Sequence, residues 1–194
     1  MLETIKTMTT MKKVFMMVVV AMMATVNVMA QKQPTGMRME VAEAETDRGD
    51  YSIFTYKDDD ESFGYYMSLG RTSKFLGADE ILGMQVDNIK ETCIWLGATY
   101  DEANATLGTI LDLFDKDVDA TTEFQGRATT SGDRLGEPSI TTCVVDKKPL
   151  GGKRLMFVFT YGKGKAHTYL SKTIVKELRA ELKIDKKLHP KQHR

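Results

Sequence analysis

Two cysteines, three histidines, one tryptophan and four prolines in 194 residues leave several kinds of chemistry with little to build on. Cys93 and Cys143 stand 50 residues apart with no CxxC, a pattern that argues against redox catalysis and against zinc. They allow one intramolecular bridge. Both sit in strand-like runs, where a buried free thiol is as ordinary as a disulfide. Of His167, His189 and His193, only the first falls within the expected fold. His189 and His193 have the spacing of a helical metal pair, but Pro190 follows His189 and disfavours a helix there. Beyond residue 30 there is no G-x-S-x-G, H-E-x-x-H or S-x-x-K. Any triad or Cys-His device would have to use His167. Nor does any apolar run reach the about 20 residues that a membrane span needs.

The longest apolar run, Val14 to Ala24, follows Lys12 and Lys13 and precedes Val28-Met29-Ala30, with small residues at −3 and −1 before Gln31. These are the three parts of a Sec-type signal peptide, expected over residues 1–30. The residues before Met11 are unlike a basic n-region, so translation is expected to start at Met11. No cysteine stands at the cleavage point, which excludes an acylated lipoprotein. The Met-rich core and Gln31 resemble the leaders of small exported proteins of Gram-negative bacteria. The implied location is the periplasm or the outside of the cell, with no transmembrane segment in the mature chain.

Removing the leader leaves Gln31 to Arg194, long enough for one domain with its own core. Residues 31–37 read as a flexible lead, 38–185 as a single α+β domain and 186–194 as a basic tail. Met37, Met39 and Val41 alternate with charged residues, as in a half-buried strand. YSIFTYK (51–57) and SFGYYMSLG (62–70) flank the acidic DDDE and read as a hairpin. GADEILGMQ (77–85) is ambiguous. NIKETCIWLG (88–97) is strand-like. Thr99 and Glu102 have capping-box spacing ahead of a stripe of Tyr100, Ala103, Leu107, Ile110, Leu111 and Phe114. Gly108 weakens that helix and requires packing to hold it. TEFQGRATT, SITTCVVD and KRLMFVFTY are further strands. In the last, both parities are apolar, which predicts cover on both faces. A helix is expected from about Thr168 to Ile184. The fold class is α+β, a mostly antiparallel sheet of about six to seven strands with two helices packed on one face. The order is compatible with two βββα halves. A curved, partly closed sheet gripping a helix is the alternative.

Net charge is zero, but the average hides a split. From Gln31 to Asp146, 10 Lys and Arg stand against 23 Asp and Glu, a balance of −13. From Lys147 to Arg194, 14 stand against 3, a balance of +11. Such asymmetry raises the question of an anionic partner. The run FTYGKGKAHTYLSK suggests where it would bind: glycines and lysines lead into the expected helix, with Thr168 as N-cap, the ingredients of an anion cradle. The candidate residues are Lys163, Lys165, His167, Thr168, Lys172, Lys176, Arg179 and Lys183. The amides of Tyr169 and Leu170 would complete the cradle. On the helix, Lys172, Lys176, Arg179, Lys183, Lys186 and Lys187 fall opposite the apolar arc of Leu170, Ile174, Val175, Leu178 and Leu182. Neither a Walker A loop nor a dinucleotide fingerprint is present, and the competing account is a solvated turn.

DLFDKDVDATTE (112–123) matches EF-hand positions 1, 3 and 5, but Ala120 and Gly126 stand where the loop needs Gly and Glu, so an acidic link is the better reading. DDDE is read as a solvated turn. No metal and no cofactor are expected. The functional reading is an exported, non-catalytic binding domain. One alternative is an anion-binding module for a sulfated or phosphorylated glycan or an envelope lipid headgroup. The other is a small hydrolase working through paired carboxylates. Self-association, acidic portion to basic helix, is a further partner. Nucleic acid is disfavoured, because no aromatic interleaving supports base stacking.

Overall fold

Alternation of inward apolar and outward polar side chains, interrupted by turns at short intervals, builds the sheet of this chain. The computed structural model describes residues 33–46, 49–60, 62–70, 91–129, 134–161 and 164–190. The expected signal peptide and the ambiguous stretch at 77–85 lie outside the described residues. Among the described residues eight strands and two helices follow in order: β1 (Arg38–Thr46), β2 (Gly49–Lys57), β3 (Phe63–Ser68), β4 (Glu91–Gly97), α1 (Tyr100–Leu113), β5 (Thr121–Thr129), β6 (Ser139–Lys147), β7 (Lys153–Tyr161), β8 (Gly164–Leu170) and α2 (Lys172–Leu188). Each strand pairs antiparallel with the next in one eight-stranded sheet. The halves are therefore four strands and a helix each, rather than three.

The extra strand of the second half is β8, and it overturns the expected start of the last helix. Thr168 and Leu170 point inward and are buried, while His167 and Tyr169 are half-exposed on the other face. That period of two pairs β8 with β7, Thr168 opposite Phe157 and Tyr169 opposite Met156. The N-cap of α2 is Ser171, in extended conformation, with its hydroxyl accepting from the Ile174 amide at 3.3 Å. At its other end α2 runs to Leu188, so Lys186 and Lys187, read as tail, form its last turn. At the front of the domain, the Gly36 amide donates to the Lys57 carbonyl at 2.7 Å.

The sheet is curled. In a flat sheet β2 and β8, six strands apart, would be separated by roughly 29 Å at about 4.8 Å per strand. Yet the Tyr51 hydroxyl donates to the Tyr169 carbonyl at 3.0 Å, and the Thr168 hydroxyl to the Leu69 carbonyl at 3.0 Å. Rolling the sheet this way brings its ends together and leaves a concave face for the helices. There α2 packs on β1, β2 and α1, while α1 packs on β4. The concave core joins Ile53, Tyr65, Met67, Ile94, Leu96, Leu155 and Phe157 of the sheet to Leu107, Ile110, Leu178 and Leu182 of the helices. Both expected helical stripes lie in it, with Leu113 buried and Leu111 only half-buried.

The convex face is different. In β7, Leu155, Phe157 and Phe159 are buried but Arg154, Met156 and Val158 are only half-buried, so the expected cover on both faces is not found. Both helices lie on the concave side, and that accounts for the difference. On the convex face of the first half a second cluster forms: Phe54 stacks on Tyr66 with ring centroids 5.7 Å apart, Tyr56 meets Tyr66 edge-on, and Cys93 lies among them. The Arg38 guanidinium sits 3.9 Å from the Phe54 centroid. Cys143 belongs to the concave core, so the sheet stands between the two thiols and both are free. The open question of the disulfide is thereby answered in favour of two reduced thiols.

Candidate functional site

The predicted anion cradle requires a helix start beside the glycine-lysine loop, and that start lies elsewhere. Lys163 is outside the described residues. Lys165 is in the β8 ladder opposite Thr160. His167 lies on the convex face, its ring edge-on to Tyr169 at 5.3 Å. Thr168 faces the interior, and its hydroxyl is engaged with Leu69. Tyr169 and Leu170, whose amides were to hold the anion, are paired in the ladder with Met156 and Leu155. The candidates are thus spread over a strand and a helix. Thr168 and Ser171 both suit an N-cap, and strand pairing makes the choice between them.

The basic stripe of α2 divides in two. Lys172 bonds Asp115 at 2.8 Å, Arg179 Nε donates to Asn104 Oδ1 at 2.8 Å, and Lys186 reaches Asp101 at 3.3 Å. These three residues are spaced by seven along α2, while their partners run backwards along α1 and its C-terminal end, so the helices are antiparallel. Lys176, Lys183 and Lys187 remain exposed. Part of the charge split is therefore settled inside the domain. The DDDE turn contributes too: Asp58 bonds Arg127 at 2.6 Å and Asp59 lies 3.6 Å from Arg134.

A second basic element, absent from the predicted set, joins this helix at one end of the molecule. The β6–β7 connection, Lys148-Pro149-Leu150-Gly151-Gly152, is flanked by Lys147 and Lys153. Gly151 and Gly152 have φ of 93° and 84°, the left-handed region where a side chain is strained, and nothing lies within 4 Å of a Cβ built on either. The tip therefore stands clear of the body. Leu150 is 102% exposed, a complete absence of contact for an apolar side chain. Lys153 donates to the Lys116 carbonyl and so holds the α1–β5 link against the hairpin. That link also carries Val118, 41% exposed. The Asp115 carboxyl is held below its ordinary value by the Lys172 hydrogen bond and charge, and by the charges of Lys153 and Lys176. Hairpin, link and the start of α2 thus form one basic end. Its signal in the sequence was a leucine inside a turn between lysines.

The two cysteines are not disposed to nucleophilic chemistry. Burial pushes the Cys143 thiol up to about 12 and the Cys93 thiol well above its ordinary value, so neither is a thiolate at neutral pH. Among the described residues no group of three or more His, Cys, Asp or Glu side chains is placed to hold a metal ion. No helix of the described residues is long and apolar enough to cross a membrane. Compared with protein-family models, curated proteins and solved structures, the chain matches none. The class is therefore set by architecture: an α+β domain with one curled antiparallel sheet and two helices.

Proposed function

We propose that this chain is an exported, non-catalytic domain that works by binding, in the periplasm or outside the cell, and that its contact surface is the basic end around Leu150. The observation that carries this reading is the Leu150 tip. An apolar side chain held wholly in water by two left-handed glycines contributes nothing to the core and keeps a cost in solvation. Against a partner outside the domain it would remove that apolar surface from water. Export rests on the leader pattern of residues 1–30. An anion-binding reading would draw on Lys172 and Lys176 at this end rather than on Thr168 and His167.

The test uses the burial of both native thiols, which keeps them silent toward a maleimide. Leu150→Cys then supplies the reactive site. In intact cells the introduced thiol should label several-fold more slowly than in purified protein, and the recovered chain should begin at Gln31. Equal labelling in both settings overturns the binding surface. Recovery from the cytosol with Met1 or Met11 intact overturns export.

A further inference from the structure

We propose that the basic end docks on an anionic lipid surface, with Leu150 entering the interface and the surrounding lysines meeting headgroup phosphates. The inference rests on the binding reading above and names its partner. Three observations select a lipid surface. The shape is convex: the tip projects, with open space around Gly151 and Gly152, whereas a small anion needs a concave cradle and a protein needs a matching cleft. A deformable interface accepts a projection without such a match. The chemistry is layered: Leu150 stands at the tip, with Lys147 exposed and Lys148 half-exposed at its base. An apolar point ringed by cations is the arrangement that interfacial segments use. The charge is concentrated: with Lys172 and Asp115 paired to each other, Lys116, Lys147, Lys148, Lys153 and Lys176 lie in the segments that meet here, against Asp117 and Asp119.

Each contribution is small, so the attachment is weak, reversible and sensitive to salt. A lysine near an anionic leaflet contributes about fivefold in partitioning, and a single exposed leucine about tenfold when buried. The exposed face of α2 continues the basic surface from Lys176 to Lys183 and Lys187, and the hairpin makes the first contact.

Protein recovered after export is sedimented with vesicles of phosphatidylglycerol and phosphatidylethanolamine, and in parallel with vesicles of phosphatidylcholine. All variants carry the same N terminus as the parent, so a retained leader would contribute equally to each. Binding is expected to the anionic vesicles and to be lost with added salt. Lys147→Glu with Lys148→Glu should reduce it by more than about tenfold, Leu150→Ser by about tenfold, and Asp117→Asn should increase it. Circular dichroism of each variant confirms folding, since Leu150, Lys147 and Lys148 stand outside the core. Equal binding to both vesicles, no effect of Leu150→Ser, or displacement by inorganic phosphate beyond that by chloride of equal ionic strength overturns the lipid inference. Slow maleimide labelling of Leu150→Cys in cells, combined with no vesicle binding, overturns the lipid inference while leaving the binding reading standing, and assigns the partner to another class.

Discussion

Two glycines show how differently one residue type is constrained by its neighbours. Gly108, in the middle of α1, faces the Arg179 guanidinium, and a Cβ there would sit 3.5 Å from a guanidinium nitrogen, an ordinary contact. Gly126, in β5, is buried, and a Cβ there would lie 2.0 Å from Thr141 Oγ1, which is itself fully enclosed. Gly108→Ala should therefore raise stability by about 0.5–1 kcal/mol through helix propensity. Gly126→Ala should lower it by about 1–3 kcal/mol through overpacking. Urea unfolding midpoints of the two variants check both signs, and a destabilised Gly108→Ala would mean that Arg179 cannot give way. The helical cost of Gly108 is legible from its place in a periodic pattern. The tightness at Gly126 is not, because the atom it would meet belongs to β6, 15 residues further on, and arrives only through strand pairing.

Elements rather than residues are where local sequence patterns reach furthest and also fail. The capping spacing of Thr99 and Glu102 is realised almost as read: the Glu102 amide donates to the Thr99 hydroxyl at 3.3 Å, and the Glu102 carboxylate accepts at 2.7 Å, though from Ala98 rather than from Thr99. At α2 the same logic points to the wrong residue. Ser171→Ala should cost about 1 kcal/mol as a lost cap and should speed hydrogen exchange at Ile174. Thr168→Val should cost about 1 kcal/mol through the orphaned Leu69 carbonyl and leave exchange at Ile174 unchanged. Faster exchange at the start of α2 in Thr168→Val, and not in Ser171→Ala, would return the helix start to residue 168. Local cap chemistry suits both residues equally. Pairing with β7 buries Thr168 and Leu170 on one face, and that burial outweighs a single cap.

At the scale of the whole molecule, the opposed charges of the two portions meet between α1 and α2. Asp115 has a depressed pKa, first through its hydrogen bond with Lys172 and then through that residue's charge. A depressed acid adds stability above its unfolded value, near 3.8, and that addition is lost as pH falls through the lower folded value. Thermal midpoints should therefore fall below about pH 4, and Asp115→Asn should make that fall shallower while slightly lowering stability at neutral pH. An unchanged acid profile in Asp115→Asn would show that the pair contributes nothing. By itself the sequence determined the α+β class, the antiparallel hairpins, both helical stripes and the charge split, because periodicity and short turns are local properties of a chain. Only the tertiary structure decided that the sheet curls, that β8 is a strand, that the two thiols lie on opposite faces, and that half the basic stripe is engaged by α1 and its C-terminal end. Those outcomes depend on groups far apart in the chain, such as Tyr51 and Tyr169, whose meeting no local pattern encodes.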